Sequence, residues 1–445
     1  MLQKLRELIP ERSPLRLAYH RYSAMLAALF YRFPGNKMTV IGVTGTSGKS
    51  TTVELIHYLL QNSGVKTGSI SGIQFNIGDK SMHNGTLRTS LRPWHMQKLL
   101  RQMVRAGCEF AVIEVSSHAL DQNRLWGVAI DTAVLTNIYD LEHLDYHGSF
   151  AEYVRSKAKL FRSLNNSYRK PGVPKVSILN RDDANYEVFQ ELPADKRWSY
   201  SLKKPSEVKA ENLELSASGT EFSVRLPNHN LEIKTPIVGR HNIFNLLAAV
   251  ATVAANGVTV KKIEELLVDF PGIPGRLEPV NAGQDFSVVV DFSYKPSGLQ
   301  AVLKTLHEMV SGRVICVWGG LGGRSLDEAY YAESVRIIEQ NADEFVLTTD
   351  DPLNDNPKEI AKLIRSNMSR AEGDNFYEIE DRYEAIRYAI FIAEPGDCVV
   401  IAGRGHEKEQ TIGDKKIPFD DRVVAREVLQ FAVATKPSES LKVEG

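Results

Sequence analysis

Residues 38–52 read MTVIGVTGTSGKSTT, and this stretch decides the fold. Met38 to Val43 form an apolar, β-branched run, and a small glycine-containing turn follows it. The next segment, TVELIHYLLQNSG, has helical spacing and a stop at Gly64. Strand, tight turn and helix in that order make a phosphate loop. Gly45, Thr46 and Gly48 let backbone N–H groups converge on phosphate oxygens. Lys49 neutralises the terminal phosphates, and the hydroxyl of Ser50 or Thr51 reaches Mg²⁺. The common spacing has a further glycine five places before Gly48, where this chain has Val43. The Gly-Lys-Ser core and its strand–helix setting survive that departure; a glycine turn without nucleotide is the plain alternative.

On the C-terminal side, FAVIEVSS (110–117), DTAVLTN (131–137) and VSILN (176–180) repeat the theme of short apolar runs ending in small polar residues. Such runs are strands buried on both faces of a parallel sheet, with helices between them. Residues 205–237 alternate apolar and polar, which predicts an antiparallel accessory sheet. HNIFNLLAAVATVAANG (241–257) is helical. Two prolines and two glycines at 271–275 break the pattern. A second set follows: FSVVVDFS, RVICVWGG, EFVLTTDD and DCVVIAGRG. The fold class is α/β, with a P-loop-type, mostly parallel-sheet central domain and a Rossmann-like C-terminal α/β domain. The expected organisation is a basic helical extension over 1–37, an ATP-binding domain over 38–276 and an amino-acid-binding domain over 277–445.

At 445 residues the chain has room for about three domains. Its net charge of -1 gives no reason to expect nucleic acid as a partner. Three scattered cysteines suit buried reduced thiols and a cytoplasmic setting. Residues 1–37 are different: seven Lys and Arg stand against two Glu, around the apolar stretch YSAMLAALFYRF. Such a helix either lies on an anionic membrane surface as a peripheral contact or packs on the next domain.

Further motifs accompany the loop: EVSSHAL (114–120), TN (136–137), EHLDYHG (142–148), YVRSKAKLF (153–161), GRHNIFN (239–245), PGRLE (274–278), Asp291, DDP (350–352) and GRGHE (403–407). In this order they resemble the Mur ligases, over about residues 38–430, and most the branch that adds the third stem-peptide residue. The resemblance implies an ATP-dependent ligase that phosphorylates a carboxylate of a muramyl-peptide-like substrate and lets an amino acid attack the acyl phosphate. It implies Lys49, Glu114, His143 and Lys157 as catalytic residues. Glu114, His143 and a carbamylated Lys157 would hold a second Mg²⁺, with Ser50 on the first. Asn137, Asn242, Asn245, Arg276 and Asp291 would surround the nucleotide. Ser117 and His118 would meet the substrate, although His118 is equally a packed histidine. Asp350, Asp351, Leu353, Gly403 and Glu407 would meet the amino acid.

Several features depart from that pattern. About 40 residues precede the loop, too few for the separate domain that holds the uridine nucleotide in relatives. Leu353 stands where the diaminopimelate-adding branch has arginine, which removes a bidentate carboxylate clamp. Asp291-Phe292-Ser293-Tyr294 replaces Asp-Tyr-Ala-His, and GGLGGRSLDE replaces a more charged loop. One extra residue separates Asn137 from His143. These differences keep two alternatives open: a ligase resembling folylpolyglutamate synthases, and a non-catalytic ATP-binding scaffold.

Overall fold

The computed structural model describes residues 12–84, 86, 90–139, 144–216, 219–227, 229–268, 270–323 and 328–435. The chain divides into two compact units. One holds residues up to 213 with 221–234 and 241–270; the other holds 271 onward with 214–220 and 235–240.

The first unit is built on β1 (Thr39–Thr44), β2 (Thr67–Ile70), β3 (Gln74–Ile77), β4 (Lys80–His83), β5 (Phe110–Glu114), β6 (Thr132–Leu135), β7 (Val176–Asn180) and β8 (Lys196–Ser201). Three further strands follow in the chain: β9 (Val208–Ser216), β10 (Gly219–Leu226) and β11 (His229–Thr235). All belong to one sheet, in the order β11-β10-β9-β8-β7-β6-β1-β5-β2-β3-β4. β1 lies between β5 and β6 and is parallel to both. Val40, Ile41, Val112, Ile113, Val134 and Leu135 are fully buried, as expected for a sheet covered on both faces. The accessory strands are no separate sheet: β9 pairs with β8 in parallel, Tyr200 opposite Val208, so the alternating segment extends the main sheet. Period-two alternation reports that one face is wet but not which edge the strand joins.

In the second unit β12 (Glu278–Pro279), β13 (Ser287–Asp291), β14 (Val314–Trp318), β15 (Glu344–Leu347), β16 (Phe376–Glu378) and β17 (Cys398–Ala402) order as β12-β13-β17-β14-β15-β16. All neighbours are parallel except β12 with β13. β18 (Glu409–Ile412) and β19 (Lys415–Pro418) form a separate hairpin. Apolar side chains fill both faces of this sheet, with Trp318, Phe345 and Phe376 on one side and Ile315, Val346 and Ile401 on the other.

In both units the chemistry-bearing residues follow the carboxyl ends of parallel strands. Thr44, Glu114 and Thr136 mark the ends of β1, β5 and β6; Asp291, Asp350 and Gly403 mark those of β13, β15 and β17. Open α/β sheets bind ligands at that edge.

Candidate active site

The phosphate loop runs from the end of β1 to the helix Lys49–Asn62. Gly48 caps that helix at φ 77°, and a Cβ placed there would lie 2.0 Å from Asn245 Oδ1. Only glycine permits both the left-handed backbone and this approach. Asn245 in turn donates to Asn242 Oδ1 at 3.1 Å, so the helix Arg240–Ala255 carries both asparagines to the loop.

The Thr136-Asn137 pair after β6 holds the other side. Thr46 N donates to the Asn137 carbonyl at 2.8 Å, and Ser47 N donates to Asn137 Oδ1 at 2.9 Å. Thr136 Oγ1 donates to the Ser47 carbonyl at 2.6 Å. Lys49 Nζ donates to the Thr46 carbonyl at 2.7 Å. The loop is thus tied to Thr136 and Asn137 on one side, with Lys49 folded back onto its own Thr46 carbonyl.

Glu114, at the end of β5 and 2% exposed, accepts from the Ser50 hydroxyl and from Gly72 N, both at 2.7 Å. Thr51 is buried within the first helical turn, so Ser50 carries the hydroxyl contact. Mg²⁺ takes hard oxygen donors, and a serine hydroxyl beside a carboxylate is a donor set of that kind. Ser50 and Glu114 therefore fit Mg²⁺. No cluster of three His, Cys, Asp or Glu suited to a metal occurs among the described residues. His143 lies outside them.

Lys157 reaches the loop from the helix Phe150–Asn166. Its Nζ donates to the Gly45 carbonyl at 2.6 Å and sits 4.3 Å from the centre of the Tyr153 ring. The Tyr153 hydroxyl, one turn earlier, is 3.0 Å from Thr46 Oγ1. An ammonium cannot ligate a cation, so Lys157 fits a metal only in its carbamylated form.

Sequence reasoning passed over three neighbours. His147 is buried, with Nε2 3.0 Å from Ser117 Oγ and its ring 5.5 Å from that of His118. Burial, and then His118, push its imidazole down to about 4, so it is neutral at pH 7. Ser117 is therefore held by a histidine rather than open, while His118 stacks 4.0 Å from the Tyr146 ring. Glu54 accepts from Ser71 Oγ at 2.6 Å, and burial lifts its carboxyl to about 7 against those hydrogen bonds. A lone acid in the apolar run TVELI was its signal. Gly72 had no signal, because only its backbone N–H acts.

The second unit presents a different kind of site. Asp291 accepts from Leu277 N at 2.7 Å and from Ser293, and burial raises its carboxyl above the usual range despite Arg276. Arg276 lies over the Phe292 ring at 5.0 Å, and its buried Nε has no hydrogen-bond partner among the described residues. Gly275, at φ 62°, lets the PGR turn close on the GRGH loop, where a Cβ would lie 2.1 Å from His406 N.

Arg404 is fully buried and donates to Asp351, which also accepts from Thr411 N at 2.9 Å. Arg382 donates to both Asp421 oxygens at 2.8 Å. Asp350 stands 4.0 Å from Arg404 and keeps one oxygen without a hydrogen-bond partner among the described residues; burial lifts it to about 6. That oxygen would lie 2.1 Å from a Cβ at Gly403. Glu407 is pushed up to about 8, first by burial and then by Asp351 and Asp350. Four acids thus share two guanidinium groups. Leu353, at φ 54°, donates its N–H to the Thr411 carbonyl at 3.1 Å and so ties this region to the β18–β19 hairpin. A cavity of about 40 Å³ opens beside Asp350, bordered by Gly320, Thr348, Pro352 and Glu380.

A phosphate loop on one α/β unit and a Rossmann-like second unit with a buried acidic cluster define a nucleotide-dependent ligase class. Residues 43–253 match the Mur ligase middle domain, and residues 275–405 match the Mur ligase glutamate ligase domain. The chain is 39% identical over 406 residues to the UDP-N-acetylmuramoyl-L-alanyl-D-glutamate--2,6-diaminopimelate ligase of Geobacillus thermodenitrificans, covering 91% of this chain and 82% of that protein. It is 37% identical over 406 residues to the protein of the same name from Listeria monocytogenes serotype 4b, covering 91% and 81%. A solved structure of a ligase of that name superposes with a TM-score of 0.65 at 30% identity, covering 90% of this chain and 79% of the other. Mycobacterium tuberculosis folylpolyglutamate synthase complexed with ADP shares the fold, with a TM-score of 0.65 at 18% identity, covering 86% and 91%. The chain belongs to the Mur ligase family and is an ATP-dependent amide-forming ligase of peptidoglycan synthesis.

Proposed function

We propose that this ligase joins an amino acid to the terminal carboxylate of a muramyl-peptide precursor in the cytoplasm. The observation that carries the reading is the meeting of Ser50 and Glu114 at the loop that Lys49 and Lys157 also enter. In the first step the γ-phosphorus–oxygen bond of ATP breaks, ADP leaves, and a bond forms from that phosphorus to the acceptor carboxylate. Both reactants are anions, so the requirement is concentrated positive charge and aimed N–H groups rather than a protein nucleophile. Lys49 and the loop amides supply these. Mg²⁺ bound at Ser50 and Glu114 would spread the phosphate charge. Asn137, Asn242 and Asn245 stand at the loop and are suited to the nucleotide; within the second unit, the Arg276 Nε, without a hydrogen-bond partner among the described residues, is suited to an anionic oxygen.

In the second step the amine nitrogen attacks the acyl carbon, a C–N bond forms and phosphate leaves. Asp350, with Asp351, favours a cationic ammonium before it sheds its proton, while Glu407, raised to about 8, is largely neutral at pH 7. With Leu353 in place of a guanidinium, the preferred amino acid carries no second carboxylate on its side chain. Lys157 acts as the carbamate, its nitrogen having added CO₂ and lost a proton; its burial on the loop supports this assignment.

The test is ADP release and product mass across amino acids, using muramyl dipeptides with and without the uridine group, and a folate carboxylate as comparison. Amino-acid-dependent product on a muramyl acceptor is expected. ADP release that ignores both the acceptor and the amino acid would sink the proposal.

A further inference from the structure

The helix Pro14–Phe30 is turned the opposite way from an ordinary packing helix. Its buried face is made of Ala24, Ala27 and Ala28, each fully covered. Ala28 packs so closely on Gly127 that a Cβ there would lie 2.5 Å away. The large apolar side chains point outward: Leu15, Tyr19, Tyr22, Leu26, Leu29 and Phe30 are between 55% and 69% exposed. Their spacing of three and four residues places them in one stripe. Single exposed apolar residues are ordinary, but a continuous stripe of six marks an interaction surface.

The charges around the stripe identify what it meets. Residues 12–37 contain five Lys and Arg and no acid. Arg12 is committed to Asp121 and Glu152; the helical period places Arg16 and Arg21 on the two sides of the stripe. The helix Pro93–Arg105 packs beside it and begins at the stripe's end, where Trp94 stacks 5.6 Å from Phe30. Residues 92–105 contain four more Lys and Arg, again with no acid. Trp94, Lys98, Arg101 and Arg105 share one helical face. Aromatic and aliphatic side chains surrounded by lysine and arginine match an anionic bilayer surface, whose phosphates attract cations while its acyl boundary accepts apolar groups. Tyr19, Tyr22 and Trp94 are suited to the boundary between the two. No helix among the described residues is long and apolar enough to cross a membrane, so the contact is peripheral.

We propose that this stripe, with the adjoining basic helix, docks the protein on an anionic phospholipid surface. The proposal does not depend on the ligase chemistry. Its test is flotation of the full chain with phosphatidylcholine vesicles containing about 30 mol % phosphatidylglycerol, against pure phosphatidylcholine. The chain is expected to float with the anionic vesicles and to be released by high salt. Leu26→Glu should weaken binding roughly tenfold or more by breaking the stripe. Lys98→Glu with Arg105→Glu should weaken it while leaving the stripe intact. Both variants change exposed side chains, so their melting temperatures and their ADP release in solution should match the wild type. Absent flotation, equal flotation with neutral vesicles, or Leu26→Glu floating like the wild type would each overturn the proposal. So would a lipid-indifferent dimer that Leu26→Glu dissociates, because the stripe would then cover a second copy.

Discussion

The carboxyl edges of the two sheets in this molecule gather opposite kinds of charged residue. The phosphate loop of the first unit sets Lys49 at the N-terminus of its helix, a place suited to anions. The edge of the second unit gathers Asp350, Asp351, Asp421 and Glu407 around Arg382 and Arg404, leaving an excess of buried acid. On the proposed reaction, the difference suits one fold class to unlike partners. A triphosphate and a carboxylate must be brought together against their repulsion, whereas an amine arrives as a cation. Parallel sheets offer the same carboxyl edge to each task, and the side chains after the strands set its sign.

The strongest way to break the contrast is to remove the cation at its centre. Lys49→Ala should lower ATP turnover about a thousandfold, read as ADP release. Retained turnover would end the assignment of the loop.

On the acidic side, Asp351→Ala strands the buried Arg404 guanidinium. The loss should be about 3 kcal/mol or more, because an unpaired buried charge keeps its full desolvation cost. Urea unfolding measures it; a midpoint equal to the wild type would show that Asp350 compensates.

Lys157→Ala should slow turnover about a hundredfold, with partial recovery on adding acetate or formate as a substitute carboxylate. Lys157→Arg should show no such recovery, since arginine cannot carry a carbamate. Equal response of both variants would remove the carbamate from the account.

The smallest effect is a pH dependence confined to the second edge. Glu407 is raised from an ordinary 4.5 to about 8, and Asp350 from 3.8 to about 6. The folded state thus holds these protons more tightly than the unfolded chain. Their contribution to stability is full below the ordinary values and is lost as pH rises through the folded ones. Thermal melts of Glu407→Gln should therefore decline less than wild type between about pH 4.5 and 8. A parallel decline in both proteins would mean that Glu407 titrates elsewhere.

Much of this contrast is visible in the chain before folding. The Val- and Ile-rich runs ending at Thr44, Glu114, Asp291 and Ala402 specify buried parallel strands, because only two covered faces tolerate unbroken apolar sequence. Gly48 and Lys49 announce the loop for local steric and charge reasons. The acidic pair Asp350-Asp351 and the loss of arginine at Leu353 are equally plain as letters.

Other features depend on residues far apart in sequence. The Ser50–Glu114 contact spans 64 positions and the Lys157–Gly45 contact 112, so no local pattern contains them. Gly72 acts through backbone alone. His147 is marked by its burial and its contact with Ser117, neither of which the sequence displays. The alternating segment 205–237 specified its own wet face, yet its place at the edge of the main sheet was settled by pairing with β8.

For the N-terminal segment, composition determined that a basic, apolar helix would form. It did not determine that the alanines would face inward and the leucines and tyrosines outward. In that orientation Ala28 lies so close to Gly127 that a Cβ on the glycine would be 2.5 Å away, a contact between residues 99 positions apart. Local sequence sets conformation through sterics and period. The facing of each element, and the sign of the field at each edge, come from contacts that exist only once distant strands have met.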